Sequence, residues 1–135
     1  MNIVLTRLDR VGDLILSTPA IASVRRSWPS AHITLACSAH NAVVVERNPD
    51  IDSVLVVMAK ASPRALGARF RGACDLAIAL APCSPDFAFV GATRAPIRVG
   101  YTYVGRYMAR FTSRFYLTRL AVSEADPELC DARPD

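Results

Sequence analysis

The sequence predicts an α/β fold, a Rossmann-like doubly wound parallel sheet with helices on both faces. Short apolar runs and helical segments alternate five times within the first hundred residues, and this alternation is typical of parallel, right-handed sheets. The runs are continuously apolar, which indicates that helices cover both faces. A chain of 135 residues, 52% of them hydrophobic, suffices for one core. We expect one domain over residues 1–120 and a disordered acidic tail over 121–135.

The first strand is predicted at residues 2–6, and apolar residues then recur at helical spacing over 12–28. Pro19 interrupts this helical pattern. It either kinks one long helix or lies in the first turn of a second helix that Ser17 or Thr18 would cap.

The same rhythm predicts the remaining elements. Strands are expected at residues 32–37, 53–58, 75–80 and 97–101, and helices at residues 39–47, 63–72 and 86–93. After Tyr101 two interpretations remain open. The segment is either a helix that presents Arg106, Arg110 and Arg114 on one face, or a loop that ends in a strand at 115–120.

Ligands of open α/β sheets bind beyond the carboxyl ends of the strands. Polar or reactive side chains follow every predicted strand at that edge. They are Arg7, Asp9, Arg10 and Asp13 after the first strand, Ser38 and His40 after the second, Lys60 after the third, Cys83 and Ser84 after the fourth, and Tyr101 after the fifth.

The first crossover, RLDRVGD, is not expected to bind nucleotide phosphates. It has one glycine and two carboxylates, whereas phosphate-binding loops are glycine-rich and end at a bare helix N-terminus. A carboxylate at the base of a cleft can instead accept a proton from an attacking hydroxyl, and Asp13 has the position for that role. Asp13 is equally well explained as an acid that stabilises the first turn of a helix.

Purely structural roles also remain open for the neighbouring residues. Asp9 fits a solvated turn or an ion pair with Arg7, and His40 fits an ordinary loop histidine. Gly12 can simply meet the backbone requirement of a turn.

The four cysteines are widely spaced and lack the CxxC pairs or histidine clusters of zinc sites. We expect reduced, structural thiols and no metal.

Basic residues dominate one part of the chain, where no acid occurs between Asp86 and Glu124. That window holds six arginines, three of which are Arg106, Arg110 and Arg114. With the interleaved aromatic residues, they could contact an anionic membrane surface or a phosphorylated glycolipid, or form a plain solvated face. No nucleic-acid-binding module is recognisable, so a nucleic-acid partner is not expected.

No apolar run reaches the roughly 18 to 20 residues that a membrane span requires. The start, MNIVLTRLDR, lacks the features of a secretory signal. We expect a cytoplasmic protein.

Several motifs together resemble the ADP-heptose:lipopolysaccharide heptosyltransferases of glycosyltransferase family 9. The specific feature is their order along about the first hundred residues. A strand ending in a basic residue is followed by Gly-Asp, the segment TPAI, a Trp-Pro helix end, a His-Ile strand, the turn NPDID, and the later segments CDLAIAL and RAPIRVGY.

This resemblance implies that the chain is the N-terminal, acceptor-side half of a GT-B glycosyltransferase. Such enzymes are inverting, use no metal or cofactor, and transfer heptose from ADP-heptose to a Kdo/heptose acceptor of the lipopolysaccharide inner core at the inner membrane. Asp13 corresponds to the proposed general base. We expect acceptor contacts from Arg7, Gly12, Ser17, His40, Lys60 and Ser84.

The sequence departs from the family pattern in two ways. Many relatives carry a basic residue shortly after the serine that follows the fourth strand, whereas Pro85 and Asp86 follow Ser84 here. The family pattern also continues with a donor-binding domain that these 135 residues do not contain. We therefore expect this chain alone to be inactive. The alternative is a non-catalytic Rossmann-like module that binds a sugar, a nucleotide or an anionic glycolipid.

Overall fold

The computed structural model describes residues 1–124, in which six strands and six helices alternate. In chain order they are β1 (Asn2–Arg7), α1 (Val11–Leu16), α2 (Thr18–Ser27), β2 (His32–Ser38), α3 (Ala39–Val45), β3 (Ser53–Val57), α4 (Pro63–Ala68), β4 (Leu76–Ala79), α5 (Ser84–Thr93), β5 (Ile97–Tyr103), α6 (Tyr107–Tyr116) and β6 (Arg119–Ser123).

All six strands belong to one parallel sheet in the order β3-β2-β1-β4-β5-β6. The chain winds outward from β1 to β3, returns to the other side of β1 at β4, and then winds outward in the opposite direction. β1 therefore lies in the middle of the sheet, and the winding direction reverses between β1 and β4. A crevice opens at such a reversal, at the carboxyl ends of the strands.

The alternating side chains of β1 feed two separate cores. Ile3 and Leu5 pack with apolar residues of α1, α2 and α3 on one face of the sheet. Val4 points to the opposite face and packs with residues of α5. Helices cover both faces, so the predicted doubly wound α/β fold is confirmed.

The first crossover contains two helices, and Pro19 lies in the first turn of α2. Ser17 occupies the predicted N-cap position of α2, but neither Ser17 nor Thr18 caps the helix with its side chain. The Ser17 hydroxyl donates backward to the Asp13 carbonyl (2.8 Å), and the Thr18 hydroxyl donates to the Ile15 carbonyl (2.7 Å). The reason is local: Ser17 has helical dihedral angles, φ −85° and ψ −9°, where a cap residue needs an extended backbone.

After Tyr101 both proposed element types occur, one after the other. Helix α6 runs through Tyr116, so the strand begins at Arg119 and not at residue 115. β6 also reaches Ser123, which makes residues 121–123 part of the sheet and not of the predicted tail. The rest of that tail, from residue 125 on, lies outside the described residues.

Helix α4 is shorter than predicted and ends at Ala68. It packs closely on α5 at Gly67, where an added Cβ would overlap the Phe89 carbonyl group. Because that obstacle is backbone, it cannot rotate away.

Replacing this glycine should therefore destabilise the fold. We expect Gly67→Ala to lower the free energy of unfolding by about 3 kcal/mol, as overpacking does in a tight core, in urea denaturation. The matched control is Gly12→Ala, since nothing lies within 4 Å of a Cβ at Gly12. Equal stability of the two variants would contradict the close approach of α4 to α5.

Candidate functional site

A cleft of about 850 Å³ lies at the carboxyl edge of the sheet, beside the reversal between β1 and β4. Its walls come from the loop after β1, the start of α3, the loop after β3 and the start of α5. The lining residues with polar or reactive side chains are Asp9, Ser38, His40, Cys83 and Asp86. The remainder of the lining is largely apolar.

Arg7, the last residue of β1, links the charged groups at this edge. Its buried guanidinium lies with Nε 2.8 Å from Asp9 Oδ1 and Nη2 3.7 Å from Asp13 Oδ2. Nη1 donates to the Leu80 carbonyl at the end of β4 and to the Tyr101 hydroxyl of β5 (3.3 Å). The protein's own oxygens thus surround this arginine, and it ties the ends of three strands together.

Asp13 occupies the first turn of α1, the helix that follows β1 after a short loop. Its side chain is 41% exposed, so solvent and ligands can reach the carboxylate. It does not line the large cleft. It borders a shallow, open depression with Arg10, Gly12 and Ile15, and Arg7 connects that depression to the cleft.

Asp9 is the carboxylate on the cleft side of Arg7. Its side chain is 24% exposed, and its backbone carbonyl accepts a hydrogen bond from the buried Asn41 amide (2.9 Å). Burial raises the pKa of Asp9, and the positive charge of Arg7 opposes that rise. Arg7 therefore favours the charged form of Asp9 at the cleft wall.

Asp86 is the site residue that the sequence reasoning missed as a functional group. It lies in the first turn of α5, is only 1% exposed, and still contributes to the cleft wall. Its Oδ1 accepts the Leu8 backbone N–H (3.2 Å). Burial raises the pKa of Asp86 to about 6, so this carboxyl exchanges a proton close to neutral pH. The available signal was its place after the fourth strand, where the sequence shows Asp86 only as a departure from a family pattern.

The raised pKa makes Asp86 a source of pH-dependent stability. The unfolded chain releases this proton near the ordinary pKa of 3.8 and the folded chain near 6, so stability should fall as pH rises through that interval. Asp86→Asn removes the buried charge while keeping an acceptor for Leu8. We expect it to raise the free energy of unfolding at pH 7.5 by roughly 3 kcal/mol at most, with no gain below pH 4.

Denaturation curves at pH 3.5 and 7.5 test this expectation, with Asp50→Asn, a turn residue between α3 and β3, as the control. A stability difference between Asp86→Asn and wild type that is independent of pH would contradict it.

The other predicted acceptor residues are distributed around this edge. His40 lines the cleft, and Ser17 bonds to the carbonyl of Asp13. Lys60 and Ser84 are exposed near the cleft but do not line it.

The described cysteines are buried or half-buried free thiols. Burial raises the pKa of Cys37 to about 11 and also raises the pKa values of Cys74 and Cys83. Little thiolate forms at neutral pH, so these groups are weak nucleophiles. Cys130 lies outside the described residues. Within residues 1–124 no three His, Cys, Asp or Glu side chains cluster as a metal site would require.

The predicted arginine face is partly formed. Arg110 and Arg114 are exposed on α6, whereas Arg106 precedes the helix and lies over the Tyr103 ring, 5.7 Å from its centroid. No helix among residues 1–124 is long and apolar enough to cross a membrane.

The structure is similar to solved glycosyltransferases. A family 9 glycosyltransferase from Veillonella parvula matches 93% of this chain with a TM-score of 0.75 and 28% identity. Two E. coli enzymes share the fold. ADP-heptose lipopolysaccharide heptosyltransferase II matches 95% of this chain with a TM-score of 0.71 and 22% identity. Heptosyltransferase WaaC with ADP matches 93% of this chain with a TM-score of 0.71 and 15% identity. The chain spans 36%, 36% and 42% of those three chains. No family model and no curated protein matches the sequence.

Proposed function

We propose that this chain, whose predicted resemblance to family 9 glycosyltransferases its structural neighbours confirm, is the acceptor-side unit of a heptosyltransferase-like enzyme. The observation that carries the proposal is the position of Asp13. An accessible carboxylate lies in the first turn of the helix that follows the central strand, at the edge where open α/β sheets bind ligands. In the proposed reaction Asp13 removes the proton from an acceptor hydroxyl, whose oxygen then attacks the sugar carbon and displaces the nucleotide with inversion.

Arg7 is proposed as a positioning residue and not as a direct acceptor contact. Its guanidinium already has oxygen partners on Asp9, Leu80 and Tyr101. The Asp13 carboxylate lies 3.7 Å from Nη2, and this contact would help to orient the carboxylate at the edge of the sheet. The wall of the adjacent cleft offers His40 and Ser38 as hydrogen-bonding groups for acceptor hydroxyls.

The donor would be bound elsewhere in the assembled enzyme. Asp9 and Asp13 place negative charge where α1 begins, and this charge repels a diphosphate. We therefore propose that a second domain holds ADP-heptose, that transfer requires both, and that no metal takes part. The acceptor is proposed to be a Kdo/heptose lipid A molecule at the cytoplasmic face of the inner membrane.

Calorimetric titration of the 135-residue chain separates this proposal from a simple binding module. A Kdo-containing acceptor should bind weakly and saturably, whereas titration with ADP should produce almost no heat of binding. Tight ADP binding without acceptor binding would reverse the assignment of this unit. The activity itself is tested by fusing the chain to the donor-side domain of a heptosyltransferase and following ADP release from ADP-heptose.

A further inference from the structure

We propose a second ligand site, for a phosphate group, in an arginine-lined pocket away from the carboxyl-edge cleft. This pocket, about 420 Å³ in volume, lies between α4, α5 and the end of α6. Four arginines contribute to its walls: Arg64, Arg71, Arg94 and Arg98. Arg71, Arg94 and Arg98 lie just before or at the start of β4 and β5. The pocket therefore lies toward the amino edge of the sheet, at the opposite end from Asp13.

No ion pair among residues 1–124 balances the positive charge of this pocket. No acidic residue occurs in residues 53–74 or 87–123, the two stretches that build the pocket. None of the three ion pairs found in residues 1–124 involves a pocket arginine. Four like charges around one cavity repel each other, and a bound anion relieves that repulsion.

Two of the four guanidiniums are held in place by the backbone. Arg71 Nε donates to the Ala92 carbonyl (3.0 Å). Arg98 donates from Nε to the Tyr116 carbonyl (2.8 Å) and from Nη1 to the Ala95 carbonyl (2.7 Å). These bonds leave Nη2 of both side chains available. Guanidinium groups fixed in this way lose little freedom when they bind an oxyanion.

Arg94 adds a backbone observation. It has φ +51° at the end of α5, and among residues 1–124 it is the only non-glycine with positive φ. Glycine is the residue that this helix-ending conformation favours. An arginine in this backbone conformation is energetically less favourable than a glycine, so its presence indicates a role for the side chain. Its position at the pocket wall is consistent with a role in binding an anion.

Phosphate matches this site better than a carboxylate does, because its three or four oxygens can pair with several guanidiniums at once. The phosphate could belong to a soluble molecule or to a lipid headgroup. Phe115 at the pocket wall and Phe111 one turn earlier are both exposed, and they would contact acyl chains in the second case.

The test uses inorganic phosphate and pyrophosphate in calorimetric titrations of the 135-residue chain at low salt. Arg94→Gly removes one guanidinium and gives the left-handed position its preferred residue, so the variant should fold at least as stably as the wild type. Arg64→Gln/Arg94→Gly removes two. The control Arg26→Gln/Arg47→Gln removes two exposed charges outside the pocket.

We expect the single variant to weaken pyrophosphate binding about tenfold and the double variant about a hundredfold, with the control within twofold of wild type. Sedimentation with phosphatidylcholine vesicles, with and without phosphatidylglycerol, distinguishes the sources. Loss of anionic-vesicle binding in the double variant but not in the control identifies a lipid phosphate. Loss of pyrophosphate binding alone identifies a soluble ligand. Equal behaviour of the pocket variants and the control toward all probes would overturn the site.

Discussion

Asp13→Asn should reduce sugar transfer by the assembled enzyme by about 10²- to 10⁴-fold in kcat, the range that removal of a general base produces. The amide keeps the size of the carboxylate but cannot accept the acceptor's proton. Asp13 is 41% exposed and its ion pair with Arg7 is long, at 3.7 Å, so the fold should survive. The measurement is ADP release by the fused chain, with thermal unfolding of the same samples as a check on folding.

Two further variants make this result specific. Glu46→Gln changes an exposed acid at the end of α3 and should leave transfer intact. Asp86→Asn tests the competing carboxyl in the cleft wall, whose pKa of about 6 also suits proton exchange. If Asp86→Asn abolishes transfer while Asp13→Asn retains it, the proposed base is wrong and the reaction belongs to the cleft.

Arg7→Met should lower the free energy of unfolding by on the order of 3 kcal/mol, because it leaves partly buried carboxylates and a buried carbonyl without their partner. The affected groups are Asp9, Asp13 and the Leu80 carbonyl. Transfer by the fused enzyme should fall as well, since Asp13 loses the charge beside it. Urea denaturation at pH 7.5 measures the first effect and ADP release the second.

Arg10→Met is the matched control, because Arg10 is an exposed arginine in the same loop. We expect its stability to stay within about 0.5 kcal/mol of wild type, as for most surface substitutions. A similarly small loss for Arg7→Met would show that the contacts of Arg7 contribute little to the stability of the fold, and unchanged ADP release would show that Arg7 does not position Asp13.

The fold was largely predictable because the pattern is strong. Five apolar runs separated by helical segments allow few arrangements other than a doubly wound parallel sheet. The edge strand β6 was placed too early, since its exposed, weakly apolar segment RLAVS gives little signal. The helix-capping prediction failed because Ser17 takes a helical backbone conformation that a list of preferred cap residues does not reveal.

The sequence by itself determined the parallel sheet, the covering of its strands by helices on both faces, and the edge at which Asp13 and its neighbours lie. Hydrophobic periodicity and the order of strands and helices are local properties of the chain, so they can be read from the sequence. Only the tertiary structure decided which of those residues are buried and which groups they contact. Arg7 is buried and pairs with oxygens of the protein itself, and Asp86 is a buried acid with a raised pKa. Four arginines that are distant in sequence line one pocket. Desolvation and charge pairing depend on which groups the packed helices bring together, and no local pattern in the sequence records that.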